Sequence, residues 1–249
     1  MALNTDKNSY TILFSILMVV VVGSLLAFVA QGLKPTITEN QRIEIQQNIL
    51  YAMGVNNNEE GSREFIAPEN AGKEFSKFIT KQLVIQNGEA SEDEQAYLID
   101  IKKEKTKAED PSYSRRLPLF IGEKDGKTYY IAPVRGKGLW DAIWGYVAMD
   151  ENMTVQGVFF DHKGETPGLG ANIKERFFMD DFYGEELLTE SGRFEGITVA
   201  KGNADPKNTD KEDHEVDAIA GATITGDGVS AMLKTDLKLY VPYFENLKK

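Results

Sequence analysis

One stretch near the C-terminus, residues 217–225, combines an acidic side chain with small and hydroxyl residues that could hold a phosphorylated ligand. It reads Asp-Ala-Ile-Ala-Gly-Ala-Thr-Ile-Thr, and two glycines follow, Gly226 and Gly228. Beyond them, apolar side chains recur at helical spacing: Val229, Met232, Leu233, Leu237 and Tyr240. The pattern therefore places Thr225 just before a helix N-terminus, close to the cap position.

That position suits a phosphate group. The first backbone N–H groups of a helix are unpaired, and the positive end of the helix dipole also favours negative charge. Small neighbouring residues let a bulky group approach the backbone closely. The alternative interpretation is an ordinary glycine-rich turn in which Thr225 only caps the helix, because threonine caps are common.

Two more glycine-rich connections each follow a predicted β-hairpin. Residues 135–140 read Arg-Gly-Lys-Gly-Leu-Trp, and residues 161–170 read Asp-His-Lys-Gly-Glu-Thr-Pro-Gly-Leu-Gly. Leu139, Trp140 and Leu169 offer apolar side chains to wall a planar aromatic ligand, and nearby glycine N–H groups offer donors for its polar atoms. A planar heterocycle is held well by this combination.

Other interpretations of the same residues stay open. Trp140 would serve equally well as a core side chain. His162 and Glu165 are a weak metal pair, because no third candidate ligand lies nearby. His162 as a general base lacks an accompanying Ser or Cys nucleophile pattern.

Together the three motifs resemble the covalent FMN-binding domains of membrane respiratory complexes. The flavinylation motif of that family is Asp-x-x-Ser/Thr-Gly-Ala-Ser/Thr-x-Thr, and its last threonine carries FMN as a phosphoester. The matching residues, in motif order, are Asp217, Gly221, Ala222, Thr223 and Thr225. Ala220 departs from the pattern, because the family usually has Ser or Thr there. This departure bears on the efficiency of modification rather than on the acceptor.

With its apolar N-terminal segment, the whole chain is similar to the family of C subunits of the sodium-translocating NADH:quinone oxidoreductases. The G-type subunit of the related ferredoxin:NAD oxidoreductase shares the motifs. It usually lacks a charged insert as long as residues 89–116, which favours the C-type family. A non-redox, membrane-tethered binding or scaffold domain is the competing class.

The resemblance implies an electron carrier with covalent FMN on Thr225, attached by a separate flavin transferase that uses FAD. It implies other membrane subunits of the complex as partners, and a soluble domain on the outer, periplasmic face of the cytoplasmic membrane. Asp217 would serve recognition or metal binding in the transferase, and Thr223 would hydrogen-bond the phosphate. Flavin contacts would fall to Leu139, Trp140, Thr166, Leu169 and Gly170.

Composition narrows the remaining classes of function. The chain has 249 residues and a formal net charge of −11, so a nucleic-acid partner is not expected, because phosphate backbones require a basic face. With no cysteine, iron–sulfur clusters, cysteine-based zinc sites and disulfides are excluded. The two histidines offer little for other metal sites.

The N-terminal segment is apolar enough for a membrane span. Residues 11–30 carry no charge, and about twenty residues at roughly 1.5 Å each cross the hydrocarbon core. A cleaved signal peptide is the alternative, but its apolar core is usually shorter, and residues 31–35 make a poor cleavage site. Pro35 is expected to mark the exit from the membrane.

We expect an α+β protein: one transmembrane helix, then one extramembrane domain with a mostly antiparallel sheet and flanking helices. The expected divisions are a tail (1–10), the transmembrane helix (11–33), a helix and linker (34–61) and the FMN-binding domain (62–249). Predicted strands cover residues 83–86, 117–121, 128–134, 142–149, 154–160 and 193–200. Further helices are expected up to about residue 53 and over 69–80, and residues 89–116 as a solvated segment.

Overall fold

The N-terminal part of the chain forms one long helix, α1 (Asn8–Ala52), in a computed structural model that describes residues 7–203, 205 and 207–248. The chain divides into the units Met1–Ile43 and Glu44–Lys249. α1 is long and apolar enough to cross a membrane, and its most apolar stretch is wholly exposed. These features fit a helix whose surroundings are lipid.

Pro35 lies inside α1, so the membrane helix and the helix expected after it form one continuous helix. A proline removes one backbone donor and costs about 3 kcal/mol in a helix interior, which long helical runs on both sides outweigh. The helix stops as expected before Gly54, whose φ of +75° is readily adopted only by glycine.

The second unit is built on an antiparallel sheet of six strands in the order β2-β1-β3-β4-β5-β6. The strands are β1 (Ile79–Gln86), β2 (Glu89–Glu92), β3 (Leu117–Lys124), β4 (Lys127–Lys137), β5 (Ala142–Met149) and β6 (Val155–His162). The hairpin predicted at Asp125 and Gly126 is confirmed, and both residues have positive φ, +52° and +75°. Such turns match the twist of the flanking strands.

The remaining elements surround this sheet. The helices are α2 (Pro68–Phe78), α3 (Ile101–Lys107), α4 (Arg176–Met179), α5 (Thr223–Leu237) and α6 (Val241–Leu247). A short parallel pair joins β7 (Thr198–Val199) to β8 (Glu215–Val216), so only the end of the strand predicted over residues 193–200 forms. The α+β class expected from the sequence is confirmed.

Helix α5 lies unusually close to strand β4. Its predicted apolar stripe, from Val229 to Tyr240, is buried. A side chain at Gly136 would come within 2.8 Å of Met232 Cβ, and one at Gly228 would overlap the carbonyl of Lys137. The two glycines therefore allow α5 to pack directly on β4. This packing holds the first turn of α5 close to the loop between β4 and β5.

The sequence suggested that the charged stretch 89–116 is a solvated segment, but some of its charged side chains are buried in the domain. Glu104 is 1% exposed and accepts hydrogen bonds from Tyr113 Oη (2.7 Å) and Arg116 N (3.0 Å). Asp236 of α5 is equally buried and accepts from Lys105 Nζ (3.0 Å) and Arg115 Nη1 (3.0 Å). Paired charges can be buried where single charges cannot, so the insert is bound to the domain.

Replacing Asp236 with alanine is expected to destabilise the protein by about 3–5 kcal/mol, because two cations and one backbone N–H then lose a buried partner. Lys103→Met is the control, since the Lys103–Asp100 pair is exposed and contributes at most about 1 kcal/mol. Urea unfolding of the full chain in detergent measures both changes. Equal losses in the two variants would contradict the importance of the buried pairing.

Candidate functional site

The three sequence motifs meet at the first turn of α5. Thr225 is the third residue of this helix, and Ala222 occupies the cap without a side-chain hydrogen bond, so the predicted cap position of Thr225 is off by one turn. Gly221 turns the chain with φ of +74° and lets the helix begin earlier than the apolar stripe indicated. Thr225 therefore lies within the first turn of the helix and not before it.

The first turn keeps its free donors. Within the described part of the chain, the backbone N–H groups of Thr223, Ile224 and Thr225 have no hydrogen-bond partner. The first helical bond runs from Gly226 N to Ala222 O (2.9 Å). The expected anion-binding character of this helix end is therefore present in the geometry.

The hydroxyl of Thr225 is closed off by the loop after β6. Thr225 is 1% exposed, and its Oγ1 donates to Glu165 Oε2 at 2.6 Å. A side chain at Gly170 would overlap Thr225 Oγ1 and lie 2.6 Å from Glu165 Oε2. The hydroxyl is thus buried, while the glycine-rich loop that the sequence assigned to the same site lies directly on it.

Glu165 lies in the candidate site, where sequence reasoning did not place it. Besides Thr225, its carboxylate accepts hydrogen bonds from the backbone N–H groups of Leu139 (3.3 Å), Trp140 (2.9 Å) and Asp141 (3.4 Å). The sequence offers it only as half of a metal pair with His162, whose Nδ1 accepts from Glu165 N at 3.2 Å. Its place inside the second glycine-rich motif is the feature of the sequence that could have assigned Glu165 to the site.

The ionised form of Glu165 is stabilised where it lies. Burial raises the pKa of this carboxyl, but the hydrogen bonds from the Thr225 hydroxyl and the three backbone N–H groups outweigh burial and bring the pKa below its ordinary value. A side chain at Gly138 would lie 2.6 Å from Glu165 Oε1. Glycines therefore flank the carboxylate on both sides, and it fits closely between them because neither position has a side chain.

A cavity of about 220 Å³ opens beside Thr225. Most of the residues predicted for the site line it: Leu139, Thr166, Leu169, Gly170, Gly221, Ala222, Thr223 and Thr225. Glu165 and Ile224 complete the lining. The topology has thus brought the two glycine-rich loops and the C-terminal motif around one space.

Large apolar side chains stand exposed around this cavity. Leu139 is 44% exposed, Leu169 41% and Ile224 57%. Trp140 is 66% exposed and its Nε1 donates to Thr166 Oγ1 at 3.2 Å, so the alternative that placed Trp140 in the core is wrong. Apolar side chains that are exposed together at a cavity mouth are typical of a binding site.

Two predicted site residues, Trp140 and Asp217, do not line the cavity. Trp140 hydrogen-bonds Thr166, which does line it, whereas Asp217 contacts a different part of the chain. Its backbone N–H group hydrogen-bonds the carboxylate of Asp181, and burial raises the pKa of its own side chain. Its side chain is half-buried and lies outside the cavity lining.

Glu185 is fully buried and lies four residues after Asp181, whose carboxylate accepts the hydrogen bond from Asp217. Asn208 Nδ2 donates to its Oε1 (2.9 Å) and Lys211 Nζ is 3.4 Å away, while its Oε2 has no partner among the described residues. Burial raises the pKa of Glu185 to about 7, despite opposing effects of Asn208 and Lys211. The folded state therefore binds more protons than the unfolded chain between the ordinary carboxyl pKa and about 7.

The stability that protonated Glu185 provides is expected to be lost as the pH rises through this window. Glu185→Gln should then raise the free energy of unfolding at pH 8 by about 1–3 kcal/mol and change it little at pH 5. Urea unfolding at the two pH values tests this, with the exposed Glu190→Gln as control. An equal effect at both pH values would contradict the linkage.

The site residues fit FMN as a ligand. The unpaired N–H groups of the first turn suit its phosphate, and the exposed apolar side chains suit its ring system. Among the described residues, no group of three His, Cys, Asp or Glu side chains is arranged to hold a metal ion.

Comparison with known proteins agrees with this chemistry. The model of the FMN-binding domain family matches residues 138–238. The C subunit of the Na(+)-translocating NADH-quinone reductase of Pseudomonas aeruginosa is 31% identical over 92% of this chain and 91% of that protein. Its counterpart in Neisseria meningitidis serogroup A is 29% identical, over 100% and 98% of the two chains.

Two solved structures share the fold. The C subunit of the same reductase from Parabacteroides distasonis has a TM-score of 0.71 and 31% identity, covering 85% of this chain and 96% of that one. The NqrC protein of Shewanella oneidensis has a TM-score of 0.67 and 27% identity, covering 84% and 98%. The chain, with its FMN-binding domain, belongs to the family of C subunits of the Na(+)-translocating NADH-quinone reductases.

Proposed function

We propose that this protein is the electron-carrying C subunit of a sodium-pumping NADH:quinone oxidoreductase, with FMN joined by a phosphoester to Thr225. The observation that carries the proposal is that Thr225 lines a cavity formed by residues of all three motifs. The relatives that bear the name of the C subunit support it over the G-type alternative.

FMN, when bound, supplies the electron-transfer chemistry, and the protein supplies position and surroundings. The N–H groups of Thr223, Ile224 and Thr225 would hold the phosphate. The side chains of Leu139 and Leu169, one from each glycine-rich loop, would exclude water from the ring. The indole of Trp140, fixed by its hydrogen bond to the Thr166 hydroxyl, would keep that wall in one orientation.

A covalent link between the protein and FMN is useful in an electron carrier. A carrier held only by non-covalent contacts would be lost whenever its affinity fell, and the cavity of about 220 Å³ is too small to enclose a whole flavin nucleotide. Much of the ring would then stay at the surface among the exposed side chains. An exposed ring is accessible to cofactors of the other membrane subunits, which are the proposed partners.

Maturation and location complete the proposal. A separate flavin transferase would recognise the motif through Asp217, whose half-buried side chain lies outside the cavity lining. The apolar part of α1 would anchor the chain in the cytoplasmic membrane, with the N-terminus in the cytoplasm and the FMN-binding domain on the periplasmic face. A non-redox scaffold domain is the competing possibility.

Intact mass spectrometry of the full chain, purified after coexpression with a flavin transferase, tests the proposal. We expect an adduct of one FMN, a visible flavin absorption band, and a modified peptide that contains Thr225. A colourless protein of unmodified mass from the same host, with an active transferase, would contradict the assignment and favour the scaffold.

A further inference from the structure

The hydrogen bond between Thr225 and Glu165 has a consequence for the modification itself. The Thr225 Oγ1 to Glu165 Oε2 distance is 2.6 Å, and both residues are almost fully buried, at 1% and 4% exposure. The hydroxyl hydrogen therefore lies on the side of Glu165, so the lone pairs of Oγ1 are not used in this bond. The carboxylate holds the acceptor in one orientation.

A phosphoester on Oγ1 removes the hydrogen that joins these two oxygens. Two oxygens 2.6 Å apart without a hydrogen between them repel each other, and the phosphodiester adds a further negative charge beside the carboxylate. The backbone donors at Leu139, Trp140 and Asp141 hold Glu165 in place. The close approach of Gly138 and Gly170 also restricts its side chain, so it has little room to turn away.

We propose that Glu165 takes the proton of Thr225 as the phosphoester forms, and keeps it as a hydrogen-bond donor to the ester in the loaded protein. This inference rests on the proposed attachment of FMN to Thr225. The bond formed is Oγ1–P, and the bond broken is the phosphoanhydride P–O bond of FAD. AMP leaves with the bridging oxygen, and the hydroxyl proton passes to Glu165 Oε2. No electron is transferred in this step.

The other charged groups on the surrounding elements leave this role to Glu165. Asp141 is paired with Lys163 (2.9 Å), and His162 Nδ1 already accepts from the backbone N–H of Glu165. Lys137 of β4 and Asp227 of α5 are exposed. Glu165 Oε2 is the acceptor in contact with the Thr225 hydroxyl.

The test uses the full chain in detergent, FAD and a flavin transferase, with the rate of loading followed by intact mass between pH 6 and 9. We expect Glu165→Gln to load at least 100-fold more slowly at pH 7, about the usual contribution of a positioned base. Its rate should rise with pH, because the proton must then pass to solvent. The ratio of wild-type to variant rates should therefore fall as the pH increases, which a purely structural defect would not produce.

Two further variants serve as a conservative replacement and as a control. Glu165→Asp retains a carboxylate and should recover part of the rate, and the exposed Glu245→Gln should load like the wild type. Infrared difference spectra of loaded minus unloaded wild-type protein give a measurement that needs no variant. They should show a new protonated carboxyl band, and the band should be missing from Glu165→Gln if that variant folds and loads slowly.

Loading of Glu165→Gln at the wild-type rate, with no protonated carboxyl band in the loaded wild type, would overturn the inference and leave the attachment to Thr225 intact. An FMN adduct on a Thr225→Val chain would instead overturn the attachment. The two failures are therefore distinguishable within one set of samples.

Discussion

Thr225→Val is expected to abolish covalent flavin completely, as measured by in-gel fluorescence after denaturation and by intact mass. Valine keeps the branched shape of threonine but has a methyl group in place of the hydroxyl, and a methyl group cannot form a phosphoester. The matched control is Thr225→Ser, which keeps the hydroxyl at the same position and should retain the adduct. A fluorescent band in the valine variant, grown with an active transferase, would defeat the assignment of the acceptor.

The same substitution should have a measurable effect on the unloaded protein. Glu165 would lose its Thr225 donor while its three backbone donors remain. Leaving one buried acceptor site unsatisfied costs about 1–3 kcal/mol. Loss of the adduct without a larger loss of stability would separate the chemical role of the hydroxyl from a structural one.

Local features of the chain were predictable because short stretches determine them. The turn at Asp125 and Gly126 needs positive φ at two successive residues, and this dipeptide adopts it readily. The apolar stripe of α5 follows from helical periodicity alone, and each of its members is buried. The start of α5 was misplaced, because Gly221 turns the chain ahead of the stripe and Ala222 caps without a side chain.

The features that were missed depend on contacts between distant parts of the chain. Glu165 accepts a hydrogen bond from the hydroxyl of Thr225, 60 residues further along the chain. The β5–β6 hairpin and the packing of α5 on β4 bring the two residues together. Lys105 similarly finds Asp236 across 131 residues. A run of charges looks solvated in sequence, because the sequence does not show which charges have partners in the fold.

Gly170→Ala is the second substitution with a large expected effect, because it separates the two residues on which the site depends. A methyl group there would overlap Thr225 Oγ1 and lie 2.6 Å from Glu165 Oε2 and 3.2 Å from Thr225 Cβ. Neither neighbour can withdraw easily, since Thr225 is fixed in a helix and Glu165 by backbone donors. We expect flavin incorporation to fall at least tenfold and stability to fall by about 1–3 kcal/mol, the usual cost of overpacking.

The control for this variant lies in the same loop. A methyl group at Gly164 would meet only Asp141 Cβ, at an ordinary 3.9 Å, and its backbone does not require glycine, so Gly164→Ala should load and unfold like the wild type. Intact mass after a fixed time with the transferase, together with urea unfolding, compares the two. If both variants loaded equally well, the loop after β6 would not close on Thr225 as described. The link between the second glycine-rich motif and the acceptor threonine would then have to be abandoned.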